Sequence, residues 1–453
     1  MSKAIVLGAG ISGIAAAKLL IKNDVEVLLF DNNPKISVDK IKKSIYGKVK
    51  IQVLLENVSD EELNKVNLCV ISPGFPKNNS VYLRVIKNRI PVISELELGF
   101  LYGKGEVCAI TGSNGKTTTV ELTGSIMRKK FGENVEVVGN IGTAYCERVF
   151  VNGNKEKEYV VECSSFQLED VVKFRPKVAT ILNLSPDHLD RYDNYTDYIN
   201  AKLNIAINMT DKDVLVLNYE DQILRELVLQ KSMFKCKVVF FSSKRMLTEG
   251  FYIYDDAIFY KDNTKTIKLL NVNELKLIGN HNYENVMAAM AIAYYMGVSF
   301  VDIVDACKEF IGLEHRIEFV REKNGVKYYN DSKATNPDAA IKAIDAMKGK
   351  ILLIAGGRDK GIDYGDFIMK VKEKVRYLIL IGEAKKKIAV KARGLNYNSL
   401  IFADSLDEAV DIANSYSNIG DNVLLSPACS SFDMFKSYED RGEKFKEKVM
   451  SLK

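Results

Sequence analysis

The segment from Thr111 to Thr119 reads TGSNGKTTT and follows directly on the apolar run from Val107 to Ile110. A strand that leads through a glycine-lysine-threonine turn into a helix can hold nucleotide phosphates on its backbone N–H groups. Lys116 adds a mobile cation, and the hydroxyl of Thr117 can bind Mg²⁺. The turn starts at Gly112, so it is tighter than the common GxxxxGK[ST] loop, which disfavours ordinary GTPases and helicases. The segment predicts ATP-dependent chemistry.

A carboxylate, a histidine and a lysine further along the chain are suited to metal or phosphate chemistry. Glu162 ends an apolar strand, where an unpaired carboxylate is costly and a Mg²⁺ ion beside Thr117 would supply the missing charge. His188 lies in the polar stretch NLSPDHLDRYDNYTDYINAK, which begins at Asn183 after another strand. Lys202 closes that stretch, but the sequence alone favours a solvated lysine on a helix. Loops at the carboxyl ends of parallel strands commonly carry binding sites, so these residues are candidates for one site.

A second glycine pattern occurs near the start of the chain. Gly8, Gly10 and Gly13 have GxGxxG spacing, and Asp31 ends the next strand 18 residues beyond the last of them. This arrangement is typical of a dinucleotide site, so a nicotinamide-dependent oxidoreductase stays open as an alternative. The turn Ser72-Pro73-Gly74 follows a third strand and is predicted to lie at the same edge of the sheet.

The elements that must position these residues form three α/β units in a row. Short apolar strands alternate with helical patterns throughout, which predicts largely parallel sheets. We expect a Rossmann-like domain over residues 1–97, a central ATPase-type α/β domain over 98–312 and a Rossmann-like α/β domain over 313–453. In the third domain, the polar segments NDSKATN and SPACSSFDMF follow predicted strands.

The composition of the whole chain excludes several classes of protein. Its 453 residues carry a net charge of +5 without a basic block, which gives no indication of nucleic-acid binding. The seven cysteines form no CxxC pair, so we expect reduced thiols in the core of a cytoplasmic protein. No apolar run approaches the roughly 20 residues of a membrane span. We therefore expect no membrane partner. As a separate expectation, the protein is a monomer.

The order of the motifs resembles that of the Mur ligases over essentially the whole chain. The resemblance rests on TGSNGKTTT, ECSSFQLE, DHLDRY, the downstream Lys202, GNHNYEN, EHR, NDSKATN and SPACSSFDMF. The last two segments resemble the branch of the family that adds D-glutamate. The DNPR motif expected of the diaminopimelate- or lysine-adding branch does not occur, and the GAGISG and SPACSSFDMF segments fit folylpolyglutamate synthetase poorly.

The resemblance implies a role for each candidate residue. The implied catalytic residues are Lys116, Glu162, His188, Lys202, Asp331 and Lys333. The implied ATP-binding residues are Gly112, Ser113, Asn114, Gly115, Lys116, Thr117, Thr118, Asn282, Asn285, Arg316 and Asp331. The implied residues around the UDP-substrate are Ile11, Ser12, Asp31, Asn32, Ser72, Pro73, Gly74 and Asn140. The implied D-glutamate residues are Thr335, Lys360, Ser431, Phe432 and Tyr438. Two Mg²⁺ ions are implied, one on Thr117 and Glu162 and one on His188 and a CO₂-derived carbamate of Lys202.

The implied reaction joins D-glutamate to UDP-N-acetylmuramoyl-L-alanine through an acyl phosphate, with ATP converted to ADP and phosphate. Its place would be peptidoglycan precursor synthesis, and with it cell-wall biogenesis, cell shape and division. Three alternatives stay open: another Mur or folylpolyglutamate-type ligase, the nicotinamide-dependent oxidoreductase, and a non-catalytic ATP-binding module.

Overall fold

The computed structural model describes the chain over residues 2–33, 35–45, 51–55, 57–186, 191–192, 194–229, 234–359 and 361–452. It contains three sheets with helices packed against them, which confirms the predicted α/β class. The chain divides into two compact units, Met1–Glu274 with Glu284–Glu309, and Leu275–Tyr283 with Phe310–Lys453. The three domain boundaries given above stay a prediction. Within the part of the chain that the structure describes, no helix has both the length and the apolar composition that a bilayer crossing requires.

The first sheet of the first unit is parallel throughout, with strand order β3-β2-β1-β4-β5. Its strands are β1 (Lys3–Leu7), β2 (Glu26–Phe30), β3 (Ile51–Leu54), β4 (Leu68–Ile71) and β5 (Val92–Ser94). Its helices are α1 (Ile11–Lys22), α2 (Val38–Ser44), α3 (Asp60–Leu63), α4 (Ser80–Lys87) and α5 (Glu95–Tyr102). The chain order reverses between β1 and β4, and such a switch point opens a crevice for ligands at the carboxyl ends of the strands.

The second sheet of the first unit has nine strands in the order β14-β13-β12-β11-β10-β9-β6-β8-β7. Its strands are β6 (Val107–Thr111), β7 (Val135–Gly139), β8 (Glu158–Glu162), β9 (Val178–Ile181), β10 (Val214–Asn218), β11 (Lys237–Ser242), β12 (Gly250–Tyr254), β13 (Ala257–Lys261) and β14 (Thr266–Asn271). Its helices are α6 (Lys116–Phe131), α7 (Tyr145–Asn152), α8 (Ser165–Leu168), α9 (Tyr195–Leu203), α10 (Gln222–Leu229), α11 (Asn280–Tyr295) and α12 (Phe300–Glu309). Strands β6 to β12 pair in parallel, and β13 and β14 add an antiparallel extension. The chain order reverses at β6, so the loops after β6, β8 and β9 meet at one edge.

Helix α5 joins the two sheets of the first unit through two fully buried carboxylates. Glu97 accepts hydrogen bonds from three successive backbone N–H groups, those of residues 172–174, at 2.8–3.0 Å. Glu95 accepts one from the backbone N–H of Cys146 at 2.6 Å, and burial raises the pKa of Glu95 to about 7. Backbone donors thus hold these buried acids and fix the helix against the second sheet.

The sheet of the second unit has the order β15-β16-β20-β17-β18-β19, parallel except for the β15–β16 hairpin. Its strands are β15 (Glu318–Lys323), β16 (Val326–Asn330), β17 (Ile351–Gly356), β18 (Val375–Ile381), β19 (Leu400–Phe402) and β20 (Asn422–Leu425). Its helices are α13 (Pro337–Ala346), α14 (Gly365–Lys374), α15 (Lys385–Gly394), α16 (Leu406–Tyr416) and α17 (Tyr438–Ser451). Strand β20 returns to pair between β16 and β17, which brings the loops after these three strands to one edge.

The seven cysteines all lie among the described residues, and all are buried and unpaired. Their placement confirms the prediction of free core thiols.

Candidate active site

The turn between β6 and α6 has the backbone shape that its glycines permit. Gly112 has φ +151° and Gly115 has φ +88°, conformations that other residues rarely adopt. A Cβ atom at Gly115 would lie 2.3 Å from Oδ1 of Asn285, so this asparagine packs directly on the turn. The turn leads into the N-terminus of α6, and the first N–H groups of a helix commonly bind anions.

The segment after β9 holds the β6–α6 turn through hydrogen bonds. The N–H groups of Ser113 and Asn114 donate to the backbone oxygen and to Oδ1 of Asn183, at 2.9 and 2.8 Å. The hydroxyl of Ser113 lies 2.8 Å from the carbonyl oxygen of Ser185 and 2.9 Å from the hydroxyl of Tyr198. We expected the N–H groups of this turn to face phosphate, and for these two the expectation is wrong, because they hold the turn in shape instead.

Two lysines converge on the same turn. Nζ of Lys116 donates to the carbonyl oxygens of Gly112 and Ser113 at 2.8 and 2.9 Å. Nζ of Lys202 donates to the Gly112 oxygen at 3.0 Å and lies 4.6 Å from the centre of the Tyr198 ring. Lys202 is only 2% exposed, so it is not the solvated surface lysine that the sequence alone favours. The turn therefore carries two positive side chains, which suits a polyphosphate.

Glu162, at the end of β8, has an unsatisfied oxygen. Its Oε1 accepts a hydrogen bond from Nδ2 of Asn140 at 3.1 Å, while its Oε2 is buried and has no hydrogen-bond partner among the described residues. The Cys163 thiol, whose pKa burial raises well above its usual value, interacts with the charges of both Glu162 and Lys202. A buried carboxylate oxygen of this kind fits a divalent cation, with Thr117 in the first turn of α6 as its predicted companion. His188, the other predicted metal ligand, lies outside the described residues.

A cavity of about 450 Å³ opens at the switch point of the first sheet. All eight residues predicted for the UDP-substrate line it: Ile11, Ser12, Asp31, Asn32, Ser72, Pro73, Gly74 and Asn140. No described atom lies within 4 Å of the position that a Cβ would take at Gly10, so the glycine leaves space on the cavity side. Ile11 is 77% exposed at the cavity and offers an apolar surface to a flat ring. The volume suits a nucleotide-sized ligand.

Asp31 has a structural use at this cavity. Its Oδ2 accepts from the N–H of Ala9 at 2.7 Å, and its Oδ1 accepts from the N–H of Asn33 at 2.9 Å. The carboxylate thus fixes the glycine loop from the neighbouring strand. The dinucleotide pattern places Asp31 on a ribose hydroxyl, yet each of its oxygens here already accepts a backbone hydrogen bond.

In the second unit, Asp331 follows β16 and is buried. It accepts hydrogen bonds from the hydroxyl of Ser426 at 2.7 Å and from the N–H of Ile317 at 3.3 Å. Burial raises the pKa of Asp331 to about 7, opposed by the nearby charges of Arg316 and Arg441. Arg316 also interacts with the charge of His281, and burial lowers the pKa of that imidazole. The predicted ATP residues Asn282, Arg316 and Asp331 belong to this unit, whereas Asn285 belongs to the first. Their roles stay predictions.

The residues predicted for D-glutamate fall in the loops after β16 and β20 and at the start of α17. Ser431 is 2% exposed, Phe432 is 64% exposed, and Thr335 and Tyr438 are partly buried. Nζ of Lys333 lies 5.6 Å from the centre of the Tyr438 ring. Lys360 lies outside the described residues. The assignment of these side chains to an amino acid stays a prediction.

Arg441 is a residue that the sequence reasoning missed. It is fully buried and donates to the backbone oxygens of Ser332 and Cys429 at 2.8 and 3.2 Å. It thereby ties the loop after β16 to the loop after β20. Nothing in its sequence context, near the start of a charged amphipathic helix, marks it as buried.

Three family models match successive parts of the chain: "Mur ligase MurD-like, N-terminal domain" over residues 2–94, "Mur ligase middle domain" over 110–293, and "Mur ligase, glutamate ligase domain" over 315–429. The chain belongs to the Mur ligase family, whose members are ATP-dependent ligases that form amide bonds.

Two relatives match over nearly their full length. The UDP-N-acetylmuramoylalanine--D-glutamate ligase of Lachnoclostridium phytofermentans is 45% identical, with 100% of this chain and 98% of the relative covered. The ligase of the same name from Lachnospira eligens is 43% identical, with 99% and 98% covered.

Solved structures share the fold at lower identity. A pseudomurein peptide ligase type C from Methanothermus fervidus has a TM-score of 0.61 at 19% identity and covers 100% of both chains. The MurF ligase of Thermotoga maritima, solved in complex with ADP, has a TM-score of 0.59 at 16% identity and covers 94% of this chain and 95% of its own.

Proposed function

We propose that the protein adds D-glutamate to UDP-N-acetylmuramoyl-L-alanine with cleavage of ATP to ADP and phosphate. The observation that carries the proposal is the pairing of a nucleotide-sized cavity with a phosphate turn in one unit. The cavity is lined by all eight residues predicted for the UDP-substrate, including Asn140, whose side chain also contacts Glu162. The carboxyl group to be activated would thus be bound by the same unit that binds the phosphates. The names of the two relatives support D-glutamate as the second substrate.

The reaction proceeds in two balanced steps. A carboxylate oxygen of the L-alanyl group attacks the γ-phosphorus of ATP, and the bond to the leaving ADP breaks. The amino nitrogen of D-glutamate then attacks the acyl carbon, loses a proton and expels phosphate, which leaves an amide. Two anions must meet in the first step, so the main task of the protein is to align them and offset their charge.

The residues of the phosphate turn are suited to that task. The N-terminus of α6 binds the phosphates, and the mobile Nζ of Lys116 exchanges backbone carbonyl partners for phosphate oxygens. When bound, Mg²⁺ supplies further positive charge; Thr117 and Glu162 would hold one ion, and His188 with a carbamate on Lys202 would hold a second. Asn140 orients Glu162 through its amide.

The cellular setting follows from the substrates. We infer that the enzyme works in the cytoplasm as a monomer, on small-molecule substrates, in peptidoglycan precursor synthesis. No nucleic acid or membrane takes part in this reaction.

Phosphate release tests the proposal directly. Purified protein is given ATP, Mg²⁺ and UDP-N-acetylmuramoyl-L-alanine, with D-glutamate, L-glutamate, glycine or L-lysine in parallel reactions. We expect sustained phosphate release with D-glutamate alone, and a product whose mass shows one added glutamyl residue. Release that is equal with all four amino acids, or absent with all of them, would refute the assignment. Titration with NADH tests the oxidoreductase alternative, for which we expect no binding.

A further inference from the structure

The segment 73–77, called the 73–77 wall, borders the UDP cavity through its first four residues. Pro73, Gly74, Phe75 and Pro76 all line the cavity, and the segment follows β4 of the first sheet. A loop backbone keeps one conformation when its N–H and C=O groups form hydrogen bonds with other parts of the protein. The partners of this wall come from the second sheet of the same unit.

Arg191 is the first of these partners. Its guanidinium donates to the backbone oxygen of Pro73 at 2.6 Å and lies 3.4 Å from that of Phe75. It also lies 3.9 Å from the centre of the Phe166 ring, on helix α8. A planar guanidinium between an aromatic face and two carbonyl oxygens has little freedom to move, and a lysine cannot reproduce that geometry. Arg191 is not among the residues that line the cavity.

Lys77 holds the other end of the same wall. Its Nζ lies 2.8 Å from a carboxylate oxygen of Glu169 and 2.8 Å from one of Asp170, the two residues that follow α8. The hydroxyl of Tyr192 donates to Glu169 at 2.5 Å, and the Tyr192 ring stacks on Phe166 with 5.7 Å between centres. Tyr192 therefore links Phe166, which contacts Arg191, to Glu169, which contacts Lys77.

Helix α8 is a firm anchor for this wall. A capping box between Ser164 and Gln167 closes its N-terminus, and Gln167 itself lines the cavity. The helix starts three residues after Glu162, so the wall is fixed to the same segment of chain that carries the predicted metal ligand.

We propose that Arg191 is a positioning residue for the UDP-substrate, which acts by holding the 73–77 wall in its binding conformation, with Lys77 as its support. The inference rests on the proposed function, because it assigns the cavity to a UDP ligand. Arg191 acts through the backbone of the wall and not through the ligand, so its loss raises the KM for the UDP-substrate while kcat at saturation is retained.

Calorimetry with UDP as the probe tests the inference apart from catalysis. We expect Arg191→Met to weaken UDP binding about ten- to thirty-fold, since a hydrogen bond from a charged donor to each carbonyl is lost. The UDP affinity of Arg191→Lys should lie between that of Arg191→Met and that of the wild type. The KM for the UDP-substrate should rise in parallel, while the KM for ATP and kcat stay within about two-fold of wild type.

Arg84→Met is the matched control. Arg84 also donates to a backbone oxygen, that of Val58 at 2.6 Å, but neither residue lines the cavity. We expect this variant to bind UDP as the wild type does. UDP binding that is undiminished in Arg191→Met, or weakened equally in both variants, overturns the inference alone. A wild-type protein that does not bind UDP overturns the proposed function and the inference with it.

Discussion

At the scale of single residues, a buried carboxylate oxygen without a hydrogen bond is the clearest indication of a metal site. Oε2 of Glu162 is buried without a hydrogen bond among the described residues, which is costly for a structural carboxylate. Lys202 is equally buried but donates to the carbonyl of Gly112. Burial of the Glu162 carboxylate and of the Lys202 ammonium costs folding free energy. A role of these two groups in binding metal and phosphate would explain why the chain buries them.

Glu162→Gln separates the catalytic cost from the structural one. The amide can still accept the hydrogen bond from Asn140 but offers a cation no negative charge, so we expect the ligation rate to fall at least about a hundred-fold. The thermal midpoint should stay level or rise, because an unpaired buried charge is removed. Phosphate release and a melting curve measure the two effects. A variant with wild-type rate and an unchanged Mg²⁺ requirement would contradict the metal assignment.

Lys202→Ala tests the predicted carbamate. The substitution removes the side chain that would carry the second pair of oxygen ligands, so we expect almost no ligation. Short carboxylic acids added to the variant should restore part of the rate by supplying oxygen ligands. Lys177→Ala is the control, because Lys177 forms a surface pair with Glu106 at 2.6 Å and should retain full activity. A Lys202→Ala enzyme that no short acid rescues, with a free ammonium at Lys202 in a high-resolution wild-type map, would refute the carbamate.

At the scale of elements, the site is made where strands end. The phosphate turn follows β6, Glu162 ends β8 and the supporting segment follows β9, so three neighbouring parallel strands deliver their loops to one edge. The start of helix α6 requires a left-handed backbone conformation at Gly115. The helix has a glycine with positive φ at each end, Gly115 at φ +88° and Gly132 at φ +56°.

Gly115→Ala and Gly132→Ala form a matched pair. Both put a Cβ on a backbone with positive φ, and each should lower the stability by about 1–2 kcal/mol or more. At Gly115 the new Cβ would also meet Asn285 at 2.3 Å, whereas at Gly132 no described atom lies within 4 Å. We therefore expect a higher KM for ATP, by ten-fold or more, in Gly115→Ala only. Equal KM values in the two variants would show that the contact with Asn285 does not shape the nucleotide site.

The sequence predicts where strands end more accurately than it predicts the tertiary contacts that the residues at those ends make. The apolar run Val107–Ile110 predicts all but the last residue of β6, and Glu162 is predicted to end a strand, as it does in β8, because each run is short, apolar and next to a turn signal. The antiparallel extension β13–β14 is absent from the sequence prediction; in β14, exposed residues interrupt the apolar pattern.

The same limit applies to the site. Motifs and family resemblance predict eight residues for the UDP-substrate, and all eight line one cavity, while their role stays a prediction. Arg191 lies inside DHLDRY but received no role, because its partners are backbone carbonyls more than a hundred residues away in sequence. Contacts to distant backbone leave no local pattern, so only the folded chain reveals them.

At the scale of the whole molecule, each unit buries an acid with a raised pKa. Burial raises the pKa of Glu95 in the first unit and of Asp331 in the second, each to about 7. Between about pH 4.5 and pH 7 the folded chain keeps protons on these groups that the unfolded chain has lost. The contribution of these two acids to stability therefore falls as the pH rises through this window and is level above it. Buried His281, whose pKa burial lowers, contributes the opposite slope below about pH 6.5.

Glu95→Gln should flatten this dependence. The amide oxygen can accept the hydrogen bond from Cys146 but cannot titrate, so we expect a smaller decline of the thermal midpoint between pH 5 and pH 8 than in the wild type. Asp331 retains its own contribution, so some slope remains. Glu61→Gln, at an exposed position, should leave the slope as it is. A Glu95→Gln midpoint that changes with pH in the same way as the wild-type midpoint would contradict the raised pKa of Glu95.

Because every thiol is buried, the cysteines can be used to measure local opening of the folded chain. A thiol reagent finds no accessible target on the native surface, so the rate at which each cysteine is labelled under native conditions measures how often its surroundings open. Cys163 follows Glu162 in the sequence, and Cys429 lies two residues before Ser431. Peptide mapping of the label would therefore follow the two units separately, and a ligand that stabilises one of them would protect its own cysteine first.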